Sequence, residues 1–280
     1  MITMKGAAVS AKLKEQVEKG LETLTWVPKL TIIRVGENPD DISYEKGATK
    51  KLTSFGLEVE SKVFPGDISD EAFKKEFAAI NADASVDGIL MLRPLPKQIN
   101  EQDIEKMIDP AKDLDGISPV NIAKVFSGDT SGFAPCTAEA VVCMLKMNDI
   151  ALSGKRVAVV GRSMVVGRPL SMLLLHENAT VTICHSRSEN LPEICREADI
   201  LVVAAGKAGM VGAESVRAGQ VVLDVGIHVG ADGNLCGDTR FAEVEPVVEA
   251  ITPVPGGVGT VTSTILASHV VEAAERAANQ

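Results

Sequence analysis

The sequence predicts an α/β protein built from two blocks in which strands and helices alternate. The alternation covers residues 8–108 and begins again at residue 156, and it is typical of parallel sheets covered by helices. The strand segments are short, apolar and rich in β-branched residues, as buried parallel strands are. The chain has 280 residues, which is enough for two domains.

In the first block, hydrophobic periodicity predicts helices that alternate with strands. Apolar residues recur along one face of the first helix, and Ser69 is placed to cap the third helix. The predicted helices are 8–24, 42–55, 70–82 and 101–108, and the predicted strands are 29–35, 57–63 and 88–92.

The segment from Asp109 to Pro135 lacks periodicity and is rich in Asp, Gly, Ser and Pro, so we expect an irregular connection there. A long helix follows, with Thr137 as its expected N-cap and an end near Met147. The second block then has predicted strands at 156–160, 180–184, 200–204 and 220–225, helices at 170–178 and 191–197, and a turn or short helix at 214–217. Ile251 to Gly259 reads as a rigid Pro/Gly loop, and Thr262 to Ala278 as a final helix.

Charge and composition exclude several classes of function. The 28 basic and 38 acidic residues give a net charge of −10, which disfavours general binding to nucleic acids or anionic membranes. There is no apolar run near the roughly 20 residues that cross a bilayer and no N-terminal signal pattern, so we expect a cytoplasmic protein. The five cysteines form no C-x-x-C pair and the four histidines are isolated, so we expect neither disulfides nor a metal site.

A glycine-containing turn between a strand and a helix is the clearest candidate ligand site. Gly161 ends the strand at 156–160, and Gly167 and Pro169 precede a helical pattern. Glycines let a ligand approach the backbone, and the free N–H groups of a helix N-terminus can hold a phosphate. The spacing differs from the G-x-G-x-x-G fingerprint, so this local pattern alone fits either a nucleotide site or an ordinary βα turn.

The end of the next strand indicates which dinucleotide would bind. A carboxylate there selects NAD, and its absence beside Arg or Ser permits the 2′-phosphate of NADP. The strand ends in Cys184 to Ser188, with no acid before Glu189, and both Arg162 and Arg187 are close in sequence to strand ends. Arginine pairs with phosphate in bidentate fashion, which favours NADP over NAD. Alternatively, both arginines are ordinary solvated surface residues.

Taken together, the motifs resemble the methylenetetrahydrofolate dehydrogenase/methenyltetrahydrofolate cyclohydrolase family. They occur in the family's order over essentially the whole chain, and the Pro/Gly segment is highly specific. The matching segments are V-G-E-N-P near Gly36, K-D-L-D-G at Lys112 to Gly116, P-C-T at Pro135 to Thr137, G-R-S-x-x-V-G-R-P at Gly161 to Pro169, A-T-V-T-I-C-H-S at Ala179 to Ser186 and I-T-P-V-P-G-G-V-G at Ile251 to Gly259.

The resemblance implies an N-terminal α/β catalytic domain that the C-terminal helix completes, together with a Rossmann-like NAD(P)-binding domain. We place the catalytic domain at 1–119 plus 262–280, the nucleotide domain at 137–258 and a connecting region at 120–136. The family's members are usually homodimers paired through the nucleotide domains. They oxidise 5,10-methylenetetrahydrofolate with NADP and hydrolyse the methenyl product to 10-formyltetrahydrofolate, so tetrahydrofolate is the substrate carrier.

The resemblance also implies site residues. We expect Asp115 to hold the pterin, because a carboxylate accepts hydrogen bonds from its amino and ring nitrogens. Tyr44, Leu92 and Arg93 are further expected substrate residues, as are Pro255, Gly256 and Gly257 of the Pro/Gly loop. The expected cofactor contacts are Gly161, Arg162, Ser163, Gly167, Pro169, Ser186 and Ile227.

The sequence departs from the family at the group that moves protons. The family's motif is Y-x-x-x-K, with a second lysine two residues on, and here Tyr44 is followed by Ala48 and then Lys50. Lys46 lies about 200° around the helix from Tyr44 and points elsewhere. The supporting glutamine is replaced by Leu92, with Arg93 after it, and the Pro/Gly loop continues T-V-T where the family usually has P-M-T.

Alanine cannot transfer a proton, whereas hydride transfer requires the protein mainly to position two rings. We therefore hypothesise that dehydrogenase activity is kept. Cyclohydrolase activity would then be weak or use another group, with Lys50 and Arg93 as the candidates. Three alternatives stay open: a rebuilt site with both activities, a different NADP-linked dehydrogenase, and a folate- or nucleotide-binding protein without catalysis.

Overall fold

The computed structural model describes residues 1–230 and 233–279. Their strands are β1 (Ile2–Thr3), β2 (Lys29–Val35), β3 (Glu58–Phe64), β4 (Gly88–Met91), β5 (Arg156–Val160), β6 (Thr180–Cys184), β7 (Ile200–Val203), β8 (Val221–Asp224), β9 (His228–Val229), β10 (Leu235–Cys236) and β11 (Ala250–Ile251). Their α-helices are α1 (Gly6–Leu21), α2 (Pro39–Ser54), α3 (Asp70–Ala82), α4 (Glu101–Met107), α5 (Pro119–Ser127), α6 (Cys136–Met147), α7 (Gly167–His176), α8 (Leu191–Glu197), α9 (Phe241–Val244) and α10 (Val258–Ala278).

The chain divides into two compact units, each with its own parallel sheet. The unit with the three-stranded sheet, called the three-stranded unit below, consists of Leu13–Ala134 and the C-terminal segment from Ser263. The unit with the six-stranded sheet, called the six-stranded unit, consists of Met1–Lys12 and Pro135–Thr262. The two-domain α/β architecture predicted from the alternating pattern is confirmed.

In the three-stranded unit, β2 lies between β3 and β4 and pairs in parallel with both. Residues 30–35 of β2 are all buried, as expected for a central strand covered on both faces. The apolar core includes Ile33, Phe73, Phe77 and Ile89. Phe73 packs edge-on against Phe64, with the ring centroids 5.5 Å apart, a geometry that aromatic pairs favour.

The six-stranded sheet has the order β1-β11-β8-β7-β5-β6, and its strands pair in parallel. The chain passes from β5 outward to β6 and then returns to β7 on the other side of β5. Strand order therefore reverses between β5 and β7, and open α/β sheets bind ligands beyond the carboxyl ends of the strands at such a point.

The C-terminal half of α10 packs within the three-stranded unit. The Nδ1 atom of His269 lies 2.8 Å from the Leu114 carbonyl oxygen, and the His269 ring centroid lies 5.0 Å from that of Phe133. The Arg276 guanidinium lies 4.5 Å from the centroid of Phe133, which is within cation–π range. These contacts agree with the expectation that the C-terminal helix completes the catalytic domain.

Several elements agree closely with the sequence predictions. The strands predicted at 29–35, 156–160 and 180–184 and the helices predicted at 70–82 and 191–197 have the predicted bounds. The Ser69 hydroxyl accepts a hydrogen bond from the Ala72 N–H at 3.2 Å and caps α3, as expected. These strands and helices, which have a clear hydrophobic pattern or capping residue, were thus predicted with the correct bounds.

The prediction of an irregular connection from Asp109 to Pro135 was wrong. Helix α5 occupies Pro119–Ser127, and the Ser118 hydroxyl caps it by accepting the Asn121 N–H at 3.1 Å. The helix has nine residues, too short for a clear helical periodicity, although Ser at the N-cap and Pro at the first position are its start signals.

The structure also divides the chain differently from the expected domains. Residues 120–134 belong to the three-stranded unit, whereas Met1–Lys12 belong to the six-stranded unit. The N-terminal segment joins the larger sheet because β1 pairs in parallel with β11, and the Ile2 N–H donates to the Glu249 carbonyl at 2.7 Å. A two-residue strand has no detectable sequence pattern.

Five helix starts were predicted too late. Helix α1 begins at Gly6 and not at residue 8, and helix α2 begins at Pro39 and not at residue 42. Helix α6 begins at Cys136 after Pro135, so Thr137 lies inside the helix and is not its cap. Helix α7 begins at Gly167 and not at Leu170, because Pro169 fits the first turn of a helix, where its missing N–H costs nothing. Helix α10 begins at Val258, which shortens the expected Pro/Gly loop. Within the described residues, no helix combines the length and apolarity needed to span a bilayer.

Candidate active site

The glycine turn lies at the switch point of the six-stranded sheet. Gly161 follows β5 with a φ of 138°, and a Cβ atom there would lie 2.1 Å from the Ala204 carbonyl oxygen. A Cβ atom on Gly167 would lie 2.1 Å from the Gly161 carbonyl oxygen. Since real Cβ atoms do not come this close, both positions require glycine, and the tight turn brings the start of α7 against the end of β5.

Ser163 organises the turn that leads into α7. Its hydroxyl accepts the Val166 N–H at 3.1 Å, and its carbonyl accepts the Arg168 N–H at 3.0 Å. Pro169 is buried in the first helical turn, while Arg162 and Ser163 are exposed. The turn thus presents a guanidinium and a hydroxyl to solvent beside the positive end of the helix dipole, as an anion site requires.

The second strand end adds further polar groups next to this turn. Strands β5 and β6 pair in register up to Val160 and Cys184, so Arg162 and Ser186 each lie two residues beyond neighbouring strand ends. Ser186 and Arg187 are exposed, and the Ser188 hydroxyl holds the turn by accepting the His185 N–H at 2.9 Å. Basic and hydroxyl groups without a carboxylate suit the 2′-phosphate of NADP.

The Pro/Gly loop forms a pocket of the same unit. Ile227, Pro255, Gly256 and Gly257 line it together, and the Ile227 side chain is 59% exposed. Gly256 has a φ of 99°, and its carbonyl accepts the Gly6 N–H at 2.8 Å. The structure therefore brings an expected cofactor residue together with the expected substrate loop.

Two buried aspartates fix the loops beside this pocket, and sequence reasoning missed both. Asp224 accepts hydrogen bonds from the backbone N–H groups of Gly226 (3.0 Å), Asp238 (2.9 Å) and Thr239 (2.8 Å). Burial raises the pKa of Asp224, although the hydrogen bonds from Thr239, Asp238 and Gly226 oppose this. An aspartate at the end of a buried apolar strand is the signal that could have identified it.

Asp238 holds the loop after β7 by accepting hydrogen bonds from its backbone N–H groups. It accepts the N–H groups of Ala205 at 2.7 Å and Lys207 at 2.8 Å, and its Oδ1 lies 2.7 Å from Nε2 of His228. A Cβ atom on Gly226 would lie 2.5 Å from the Asp238 carboxyl carbon. The loops after β7 and β8 are thus joined through side chains that are far apart in sequence.

In the three-stranded unit, Tyr44 lies on α2 as predicted. The side chain of Asn38 caps the helix by accepting the Asp40 N–H at 3.0 Å. Tyr44 is 39% exposed, whereas Ala48, where the resemblance predicts the family's lysine, is 2% exposed. Lys50 is exposed, but Lys51 is partly buried and burial lowers its pKa. Sequence reasoning did not single out Lys51, although the pair Lys50–Lys51 was visible.

At the end of β4, Leu92 and Arg93 make contacts within the three-stranded unit. Leu92 is buried, and its N–H donates to the Ile33 carbonyl at 2.9 Å. Arg93 Nη1 lies 3.3 Å from Glu101 Oε1 and 3.1 Å from Glu105 Oε1. A guanidinium stays protonated in proteins, and this one is held by two carboxylates, so the geometry disfavours Arg93 as the group that accepts a proton.

The K-D-L-D-G segment lies beside β4. Asp113 forms a parallel bridge with Ile89, and its carboxylate accepts the N–H groups of Ile117 at 2.9 Å and Ser118 at 2.7 Å. Asp115, two residues further on, is partly buried. The buried Asp113, which sequence reasoning did not single out, therefore holds the turn that carries the expected pterin-binding carboxylate.

Comparisons with known proteins agree with this geometry. Residues 4–115 match the model of the tetrahydrofolate dehydrogenase/cyclohydrolase catalytic domain, and residues 135–278 match that of the family's NAD(P)-binding domain. The bifunctional protein FolD of Carboxydothermus hydrogenoformans is 50% identical over 275 residues, which cover 96% of each chain. FolD of Clostridioides difficile is 50% identical over 273 residues, which cover 96% of this chain and 95% of that protein.

Solved structures show the same likeness. The FolD methylenetetrahydrofolate dehydrogenase/cyclohydrolase of Campylobacter jejuni aligns with a TM-score of 0.95 and 36% identity over 99% of each chain. The Trypanosoma brucei enzyme, complexed with NADP and an inhibitor, aligns with a TM-score of 0.94 and 31% identity over 100% of this chain and 99% of that one. With both family domains matched in order and the relatives covered almost end to end, this chain belongs to the tetrahydrofolate dehydrogenase/cyclohydrolase family.

Proposed function

We propose that this protein oxidises 5,10-methylenetetrahydrofolate to 5,10-methenyltetrahydrofolate and hydrolyses that product to 10-formyltetrahydrofolate, two steps of one-carbon folate metabolism. The observation that carries the proposal is the glycine turn at the switch point, in a chain whose two halves match both domains of the family. NADP, when bound, supplies the acceptor for the hydride.

The residues around the turn fit this cofactor. Gly161 and Gly167 keep the backbone free of Cβ atoms where a dinucleotide approaches. Arg162, Ser163 and Ser186 supply charge and hydroxyl groups for a 2′-phosphate. Ile227 offers an exposed apolar surface at the pocket beside the strand ends.

The substrate residues have separate tasks. Asp115 would orient the pterin by accepting two hydrogen bonds, one at each carboxylate oxygen. Tyr44 presents a partly exposed ring and hydroxyl on α2. Pro255, Gly256 and Gly257 line the pocket, and the Gly256 carbonyl accepts a hydrogen bond from the Gly6 N–H. Holding two reactants in one geometry is the protein's main contribution to hydride transfer.

Nicotinamide absorbance tests the oxidation directly. Purified protein with methylenetetrahydrofolate should reduce NADP, and NAD should be a poorer substrate. Absence of reduction with either dinucleotide would instead favour a folate- or nucleotide-binding protein, the second candidate, which the alanine at position 48 makes worth testing. Binding of a folate analogue, measured by calorimetry, would then identify that function.

The six-stranded unit also offers a surface for pairing with a second copy. Strand β6 is at the edge of the sheet, and near it Leu175 and Ile183 are 52% and 39% exposed. Unpaired strand edges with exposed apolar residues favour association. We therefore propose that the protein forms a homodimer through this edge. The cytoplasmic location expected from the sequence stays a prediction.

A further inference from the structure

The hydrolytic step needs a group that accepts a proton from water, and the family's position for it holds an alanine. Ala48 is buried on α2, four residues after Tyr44. Its methyl group cannot accept or donate a proton. If the methenyl product is hydrolysed, another group has to accept the proton, and a side chain on the same helix face is the first candidate.

Helix geometry identifies the lysine that shares this face. At 100° per residue, Lys51 lies about 60° around α2 from Ala48 and about 20° from Tyr44. Lys46 and Lys50 each lie about 160° from Ala48. Of these three lysines of the helix, Lys51 alone is therefore on the side of Tyr44 and Ala48.

The burial of the side chains agrees with this geometry. Ala48 and Leu52 are the buried residues of α2. Lys46 and Lys50 are exposed, whereas Lys51 has intermediate exposure. Part of the Lys51 side chain is therefore covered by protein at the edge of the apolar face, as lysine stems can be.

General helix geometry places the turn that carries Tyr44 and Ala48 within reach of Lys51. Helical side chains tilt towards the N-terminus and cover the preceding turn, and Cβ atoms three residues apart are about 5–6 Å from each other. The four-carbon stem of lysine spans this distance. Burial lowers the pKa of Lys51, which raises the fraction of neutral amine, the form that accepts a proton.

We infer that Lys51 takes the place of the family's lysine and is the catalytic proton acceptor for hydrolysis of the methenyl bridge. This inference rests on the proposed function. As the water oxygen bonds to the methenyl carbon, one water proton passes to the Lys51 amine and a neutral carbinolamine forms. The bond from that carbon to N5 then breaks, N5 takes the proton from Lys51, and the hydroxyl proton leaves to solvent as the formyl group forms on N10.

The test follows the hydrolysis of added methenyltetrahydrofolate by its absorbance, with the enzyme-free rate subtracted, and compares it with NADP reduction by the same preparation. Positioned acid–base groups contribute about 10²–10⁴-fold, so Lys51→Met should lower the ratio of hydrolysis to oxidation at least 100-fold. Lys46→Met removes an exposed lysine of the same helix and should leave both rates unchanged.

Two further variants separate chemistry from structure. Lys51→Arg keeps the length and the positive charge but cannot supply a neutral base, so it should lose hydrolysis as Lys51→Met does; an active Lys51→Arg would overturn the inference. Ala48→Lys in the Lys51→Met protein restores a lysine at the family's position and should recover hydrolysis at least tenfold. Thermal unfolding of each variant verifies that it is folded.

The outcomes distinguish this inference from the proposed function. Wild-type protein that reduces NADP but does not hydrolyse the methenyl compound contradicts the role of Lys51 and leaves the dehydrogenase intact. Equal hydrolysis by wild type and Lys51→Met, or loss of hydrolysis in Lys50→Met alone, also overturns it. Wild-type protein that does neither reaction refutes the proposed function itself, and the inference with it.

Discussion

Arg34 on β2 donates from Nε to Oε2 of Glu45 on α2 at 2.6 Å. The two side chains are only 10% and 13% exposed, and Glu45 also receives a hydrogen bond from the Ser61 side chain of β3. Because Glu45 is next to Tyr44 in the helix, this pair contributes, with the burial of Ala48 and Leu52, to the rotation of α2 against the sheet. The faces presented by Tyr44, Ala48 and Lys51 all depend on that rotation.

We expect Glu45→Gln to destabilise the protein by about 2 kcal/mol at pH 7. Breaking a fully buried pair costs about 3–5 kcal/mol, and glutamine keeps one acceptor for Arg34. Urea unfolding measures the loss. Glu37→Gln is the matched control, because Glu37 also pairs with Arg34, at 3.4 Å, but is 76% exposed, and its loss should be below about 1 kcal/mol. Equal losses would contradict the central role of Glu45.

The same pair predicts a dependence of stability on pH. Burial raises the pKa of Glu45, but the hydrogen bonds from Ser61 and Arg34 and the charge of Arg34 outweigh it, and the pKa lies below its ordinary value. The pair therefore stabilises the fold above the unfolded-state pKa of about 4.3, and this stabilisation is lost as the pH falls through the folded-state pKa. Unfolding free energies of wild type and Glu45→Gln should differ at pH 7 and converge only as the pH falls below the lowered folded-state pKa of Glu45.

Arg162→Ala should weaken the binding of NADP much more than the binding of NAD. A charge-assisted hydrogen bond contributes about 1.5–3 kcal/mol, so KM for NADP should rise roughly 10- to 100-fold while KM for NAD changes little. Steady-state kinetics with each dinucleotide provide the measurement. Arg156→Ala, at the opposite end of β5, is the control and should leave the ratio of the two KM values unchanged. A similar rise for both dinucleotides would exclude a contact with the 2′-phosphate.

Gly161→Ala should destabilise the six-stranded unit and abolish NADP binding. The added Cβ atom would lie 2.1 Å from the Ala204 carbonyl oxygen, and the backbone must shift where the cofactor approaches. Gly154→Ala is the control, because Gly154 also has a positive φ, of 74°, but no atom lies within 4 Å of the added Cβ. The control should therefore lower the free energy of unfolding by only about 1–2 kcal/mol, from backbone strain alone. Thermal unfolding without NADP measures the loss of stability, and the shift in Tm on adding NADP measures binding. Retained NADP binding in Gly161→Ala would contradict the assigned turn.

Local signals were sufficient for the glycine turn but not for the long-range contacts of carboxylates in either unit. Strand, glycine and helix follow one another within about fifteen residues, so the position of Gly161 could be read directly. Asp224, by contrast, binds backbone N–H groups of residues 238 and 239, and Arg93 pairs with carboxylates on α4. Such partners are defined only when the chain folds, and no periodicity reveals them.

The proposed proton-transfer site shows that the sequence did not predict which face of a helix is buried. Aligning motifs gives Lys50 as the second family lysine, whereas the rotation of α2 in the fold exposes Lys50 and partly buries Lys51. The difference between adjacent lysines is a rotation of about 100°. Sequence patterns locate a helix within a few residues, but the face it buries follows from contacts such as the one between Arg34 and Glu45.

Ile183→Lys should convert the proposed homodimer into a monomer. Ile183 is exposed on β6, the edge strand of the six-stranded sheet, and a lysine on an edge strand discourages pairing with another strand. Analytical ultracentrifugation across a concentration series should give the mass of two chains for wild type and of one chain for the variant. Phe126→Lys replaces another exposed apolar residue, on α5 of the three-stranded unit, and should leave the dimer intact. A monomeric wild type, or a dimeric Ile183→Lys protein, would show that β6 is not the contact, since a charge placed within an apolar interface loses its hydration without gaining a partner.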